Sequence, residues 1–185
     1  ERVGKGAGAA PDVEGALVAA QRREQPPHPG DEVVVALGLE LPAMLDPERF
    51  ASTARLTQVQ PYDPEKIPVL FVHGLQSTPV TWVPMVNTIW ADPILRRNYQ
   101  VWVFSYPSGY PIPYSALLLR RELDALDKTF PNHRQIVLVG HSMGGLISRL
   151  QTIDSGNEFW NVVSEKPFNV VNASPETQRE LAATF

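Results

Sequence analysis

A chain of 185 residues, 43% hydrophobic and 19% charged, is long enough to bury the core of one domain and reads as globular and soluble rather than fibrous or disordered. Its formal net charge of −4, with basic residues scattered and paired only at Arg22/Arg23, Arg96/Arg97 and Arg120/Arg121, argues against nucleic acid as a partner. The absence of cysteine excludes disulfides, thiolate catalysis and cysteine-based zinc sites, and leaves the compartment open between cytoplasm and export. No apolar run approaches the ~18 residues that a membrane-spanning helix needs. The chain opens on Glu1 rather than Met, which points to a trimmed N-terminus.

Residues 1–30 are rich in Ala, Gly and Pro and close on Gln25, Pro26, Pro27, His28, Pro29 and Gly30, a composition that predicts a loosely ordered lead-in. The early Gly4, Gly6 and Gly8 follow no apolar strand and precede no GK[ST], so they do not form a phosphate-cradling loop. Residues 31–185 are expected to form a single domain. Peripheral strands are predicted over 31–40 and 55–60. From Lys66 onward the pattern sharpens: 67–72, 100–104 and 135–139 are short β-branched or aromatic runs, as parallel strands buried on both faces should be. Between the first two, a helix is predicted over 81–90, with Pro84 tolerable in its first turn, and Asp92 with Pro93 reads as the cap and first residue of another. Over 115–130, Leu119, Leu123, Leu126 and Phe130 recur at four, three and four, one apolar helical stripe. Arg120, Arg121, Glu122, Asp124, Asp127 and Lys128 form its solvated face, so the arginine pair needs no functional account. Helical 146–153 follows, and Ser174 with Pro175 marks the start of a terminal helix. The sum is an α/β architecture, a mostly parallel sheet with helices on both faces.

The chemistry concentrates where the third predicted strand ends, at Gly140, His141, Ser142, Met143, Gly144 and Gly145. This is a GxSxG pattern at a strand-to-helix turn, the context in which a serine is presented as a nucleophile. Residues two before and two after such a serine must lack bulk, a demand met by Gly140 and Gly144. The turn also aims the first free N–H groups of the new helix at the serine, so the Met143 N–H is a candidate oxyanion donor.

Parallel strands send their C-terminal ends to one edge, where ligands bind. Three loops therefore meet there: 73–78, the Tyr- and Pro-rich 105–113, and the turn at Ser142. The first opens Val72, His73, Gly74, Leu75. With VHGL and GHSMGG about seventy residues apart in this order, residues 67–153 resemble the core of an α/β-hydrolase, specifically bacterial lipase- and esterase-like members. The resemblance covers about half the chain. It implies Ser142 as nucleophile, with Met143 and Leu75 as the two oxyanion N–H donors. It also implies that His73 shapes the oxyanion loop rather than abstracting protons, with Gly74, Gly140, His141, Gly144 and Gly145 supporting the motifs. No cofactor or metal is implied; the substrate would be a small-molecule or lipid ester. The Tyr- and Pro-rich loop would either wall an acyl pocket or simply stiffen a connection, while Trp82 and Trp90 are expected in the core.

The family orders its triad serine, acid, histidine, yet no histidine follows Ser142. The side chain of His141 should diverge from its neighbour's. His133 precedes the strand, about 25 Å off at ~3.3 Å per residue. His28 falls in the lead-in. Asp154, the first carboxylate after the serine, would lie about 18 Å away if all the residues between were helical at ~1.5 Å each. Glu158, Glu165, Glu176 and Glu180 fall in an irregular stretch and the terminal helix. Only 43 residues follow Ser142, against ~30 for each further strand and helix unit. The expectation is a C-terminally incomplete α/β-hydrolase domain, inactive as it stands, whose open sheet edge invites association. A serine at the turn argues against dehalogenase-like relatives, which place Asp there. The competing reading is a non-catalytic binding domain of the same fold; a nucleotide-binding domain is third, lacking any glycine-rich phosphate motif.

Overall fold

The computed structural model describes residues 45–167, 170 and 173–184. The predicted lead-in over 1–30 and the predicted strand over 31–40 lie outside them. Among the described residues, Arg55–Gln58 (β1), Ile67–Val72 (β2), Tyr99–Ser105 (β3) and Val137–Gly140 (β4) form one sheet in the order β1-β3-β2-β4. β2 runs parallel to β3 and to β4, whereas β1 is antiparallel to β3. The registers Val69↔Val101 and Val69↔Val137 place β2 at the centre, with its apolar side chains sandwiched.

The alternation of the pleat assigns these side chains to two layers. Val69, Phe71, Val101 and Val103 face a cluster with Trp82, Val86 and Trp90, carried by a 3-10 turn at Pro79–Trp82 and the helix Val83–Ala91 (α1). Leu70, Val72, Trp102 and Phe104 face the other way, against Ala116, Leu119 and Leu126 of Ile112–Thr129 (α3) and Ile147 of Met143–Arg149 (α4). Helices therefore cover both faces. Full burial of Leu70, Phe71 and Val72 contributes about 1.5–3 kcal/mol each, which explains why these runs read as continuous apolar stretches.

Local chemistry sets the helix ends. Pro93–Asn98 (α2) starts where Asp92 Oδ1 accepts the N–H groups of Ile94 (2.7 Å) and Leu95 (3.0 Å). Glu158–Val163 (α5) follows, and in Pro175–Thr184 (α6) the Ser174 hydroxyl accepts the Thr177 N–H at 3.1 Å. Pro84 falls in the first turn of α1, where its missing N–H costs nothing.

Several boundaries differ from expectation. β1 ends at Gln58: the Val59 N–H still bonds the Val101 carbonyl at 3.1 Å, but Pro61 has no N–H with which to extend the pairing. β4 begins at Val137, not 135, since the exposed Arg134 and Gln135 stay in the connection. α3 begins at Ile112, three residues before the predicted start, because Pro113 suits a first turn. α4 runs Met143–Arg149 instead of 146–153: it starts directly at the serine, and its last turn tightens through the Thr152 N–H to the Arg149 carbonyl. Gln100 is fully buried within β3, its amide bonded to Asp63 and to the Lys66 carbonyl, so it ties the chain before β2 to its neighbour strand. β4 has no second strand partner among the described residues, and its Val137 is 44% exposed.

Candidate active site

The shared direction of β2, β3 and β4 brings their three following loops to one edge. Ser142 lies at the junction of β4 and α4 with φ 52° and ψ −123°, a left-handed backbone that costs a non-glycine residue about 1–3 kcal/mol. Such a conformation persists only where its surroundings impose it. The His141 N–H donates to the Val72 carbonyl at 3.1 Å, anchoring the turn to β2. The N–H groups of Gly144 and Gly145 donate to the His141 and Ser142 carbonyls, each at 2.9 Å, and Ser148 Oγ donates to the Gly144 carbonyl at 2.8 Å.

Two glycines make this approach possible. A Cβ on Gly140 would collide with the Gly144 backbone, and one on Gly144 would collide with the Val72 and His73 carbonyls. Gly145 differs, since a Cβ there would sit 3.6 Å from the Gly140 carbonyl, an ordinary contact. Gly74 brings the first loop against the turn: a Cβ on it would lie 3.1 Å from His141 Nδ1 and 3.2 Å from Ser142 Cβ. Ser142 itself is exposed to solvent. The backbone N–H groups of Leu75 and Met143 make no hydrogen bond to any described residue.

His73 is 1% exposed, and burial pulls its pKa down to about 4, so the ring is neutral near pH 7. Its Nδ1 lies 3.0 Å from the Gly74 carbonyl, an acceptor, so that nitrogen carries the proton. The ring stacks on Tyr106 at 4.3 Å. Burial raises the Tyr106 phenol above the usual tyrosine range and keeps its proton, which is donated to the His73 carbonyl at 2.8 Å. Ser108, 4% exposed, accepts the N–H of Gln76 on its Oγ at 3.2 Å. Gln76 is left-handed too, at φ 51°.

Thus His73, Gly74, Leu75, Gly140, His141, Ser142, Met143, Gly144 and Gly145 come together at one edge. In the Tyr- and Pro-rich loop, Tyr106 and Ser108 lie buried beneath the first loop and bond to it. Nothing in periodicity reveals those two. The available signal is a small hydroxyl residue in Pro107, Ser108, Gly109 at the same sheet edge. Trp82 packs on Phe71 at 4.8 Å and Trp90 Nε1 donates to Gln60 at 2.9 Å, as core residues do. Beside the turn, Thr81, Trp82, Pro84, Met85, Thr88 and His141 line an open trough of about 520 Å³.

Other candidates lie apart. His133 pairs with Asp127 at 2.7 Å beyond the end of α3, well before β4. Asp154 is not reached through continuous helix, as α4 has already ended; its carboxylate accepts the Gly156 N–H at 3.0 Å. Among the described residues no histidine–carboxylate pair flanks Ser142, and no cluster of His, Asp and Glu side chains is arranged to hold a metal ion. No described helix is long and apolar enough to cross a membrane.

Comparison with curated proteins and with solved structures returns no significant match. A family model does match, over residues 69–179, which runs from within β2 into α6 and takes in both loops that face each other across Gly74 and Ser142: the chain belongs to the alpha/beta hydrolase family.

Proposed function

We propose that this chain carries the nucleophilic half of a serine hydrolase acting on carboxylic esters, with Ser142 as the nucleophile. The observation that carries this reading is the left-handed Ser142 between two glycines that tolerate no side chain, exposed at the start of α4. Ser142 Oγ would attack the ester carbonyl carbon, giving a tetrahedral oxyanion stabilised by the N–H groups of Leu75 and Met143. Each such donor contributes about 3–4 kcal/mol to the transition state. Collapse breaks the bond to the alkoxy oxygen, the alcohol leaves with the proton taken from Ser142, and water releases the acid from the acyl-serine. The apolar trough beside His141 suits an apolar substrate portion. No paired base and acid stand beside Ser142 among the described residues; in this reading both come from outside them, and the described residues alone turn esters over poorly.

Exposure of the protein from its complete gene to a serine-directed phosphonate, followed by peptide mass spectrometry, tests this. One adduct on Ser142 is expected, and none with Ser142→Ala. Equal modification of both proteins would refute the assignment. The lack of a described base beside Ser142 favours one other reading, a non-catalytic interaction domain of the same fold. That reading gains if the wild-type protein takes up no phosphonate.

A further inference from the structure

Three successive peptide units of the loop after β2 are each held by a side chain. The His73 carbonyl accepts the buried Tyr106 hydroxyl at 2.8 Å. The Gly74 carbonyl accepts His73 Nδ1–H at 3.0 Å. The Gln76 N–H donates to Ser108 Oγ at 3.2 Å. A trans peptide is planar with its C=O and N–H opposed, so fixing the Gly74 carbonyl on the imidazole turns the Leu75 N–H away from it. The other two bonds lock the units on either side, including the unfavourable φ of 51° at Gln76.

We propose that Ser108 and Tyr106 are positioning residues for the Leu75 N–H: from the neighbouring loop they clamp the backbone on both sides of that donor and set its direction toward the oxyanion. The proposal rests on the reading of Ser142 as nucleophile. Neither hydroxyl touches substrate. Without the Ser108 acceptor, Gln76 relaxes toward ordinary φ values, the 74–75 unit rotates, and the donor loses alignment. Full loss of one oxyanion donor costs about 100–1,000-fold in rate, so partial misalignment should cost about 10-fold.

The test measures phosphonate inactivation of the full protein, separating the maximal rate kinact from the binding constant KI, for wild type, Ser108→Ala, Ser108→Thr and Tyr106→Phe. Melting curves identify which variants are folded. The expected result is a kinact about 10-fold lower in Ser108→Ala and in Tyr106→Phe, with KI within about twofold and recovery in Ser108→Thr. Tyr106→Phe removes only the hydroxyl, so it decides the matter if Ser108→Ala does not fold. Wild-type kinact in the folded variants with Ser142 still the labelled residue, or a change confined to KI, overturns the clamp alone. A wild-type protein unlabelled at Ser142 defeats the underlying reading, and this proposal with it.

Discussion

At Ser142 the backbone is held at φ 52° and ψ −123°, the mirror image of extended backbone, which glycine adopts freely. Ser142→Ala keeps the Cβ and hence the strain, whereas Ser142→Gly removes the strain; both lack the hydroxyl proposed as nucleophile. Melting in urea should therefore rank Ser142→Gly above Ser142→Ala by about 1 kcal/mol, the strain relieved being partly offset by the greater freedom of unfolded glycine. A glycine variant no more stable than the alanine variant would mean that the turn stores no strain. This residue was plain in the sequence because GxSxG demands small neighbours for steric reasons. Tyr106 and Ser108 were not, because their role arises from two loops 33 and 32 positions apart whose meeting depends on the sheet.

The close seating of α4 on β2 depends on one missing side chain. Gly144→Ala would press a methyl group into the Val72 and His73 carbonyls, backbone that has nowhere to go. Chemical unfolding should show a loss of about 3 kcal/mol, or no folded protein. Gly145→Ala meets only ordinary contacts, so in the same assay it should gain up to about 1 kcal/mol from helix propensity. The GxSxG spacing already singles out Gly144, and the structure shows which carbonyls a side chain there would strike and that Gly145 escapes them. Element type was legible for β2, β3 and α3, where uniform apolar runs and the 119, 123, 126, 130 stripe leave little choice. Ends were less so. Pro113 and the tightened final turn of α4 moved boundaries through local hydrogen bonding that periodicity does not register.

For the molecule as a whole, acid should be more damaging than the acidic composition suggests. His73 binds its proton with a pKa of about 4 when folded against about 6.5 when unfolded. Above pH 6.5 both states are neutral there and His73 contributes no pH dependence. As the pH falls from 6.5 to 4 the unfolded chain takes up the proton first, and stability drops by on the order of 3 kcal/mol. His133 acts oppositely: its pKa is raised by the Arg134 carbonyl and by Asp127, so its contribution is present at low pH and fades as pH rises through the folded value. Urea midpoints between pH 7.5 and 4 should fall less steeply in His73→Asn, which keeps a donor and does not titrate. Parallel slopes in the two proteins would show that this imidazole is not the source.

The strand order carries a consequence in time. β2 lies between β3 and β4, yet the Val72 carbonyl that grips the His141 N–H leaves the ribosome 69 residues before that group does. The platform of β1, β3, β2, α1 and α3 is thus synthesised in full before the turn at Ser142 exists. The strained turn at Ser142 is the last joint of the described sheet to be synthesised, and it meets a platform whose sequence is already complete.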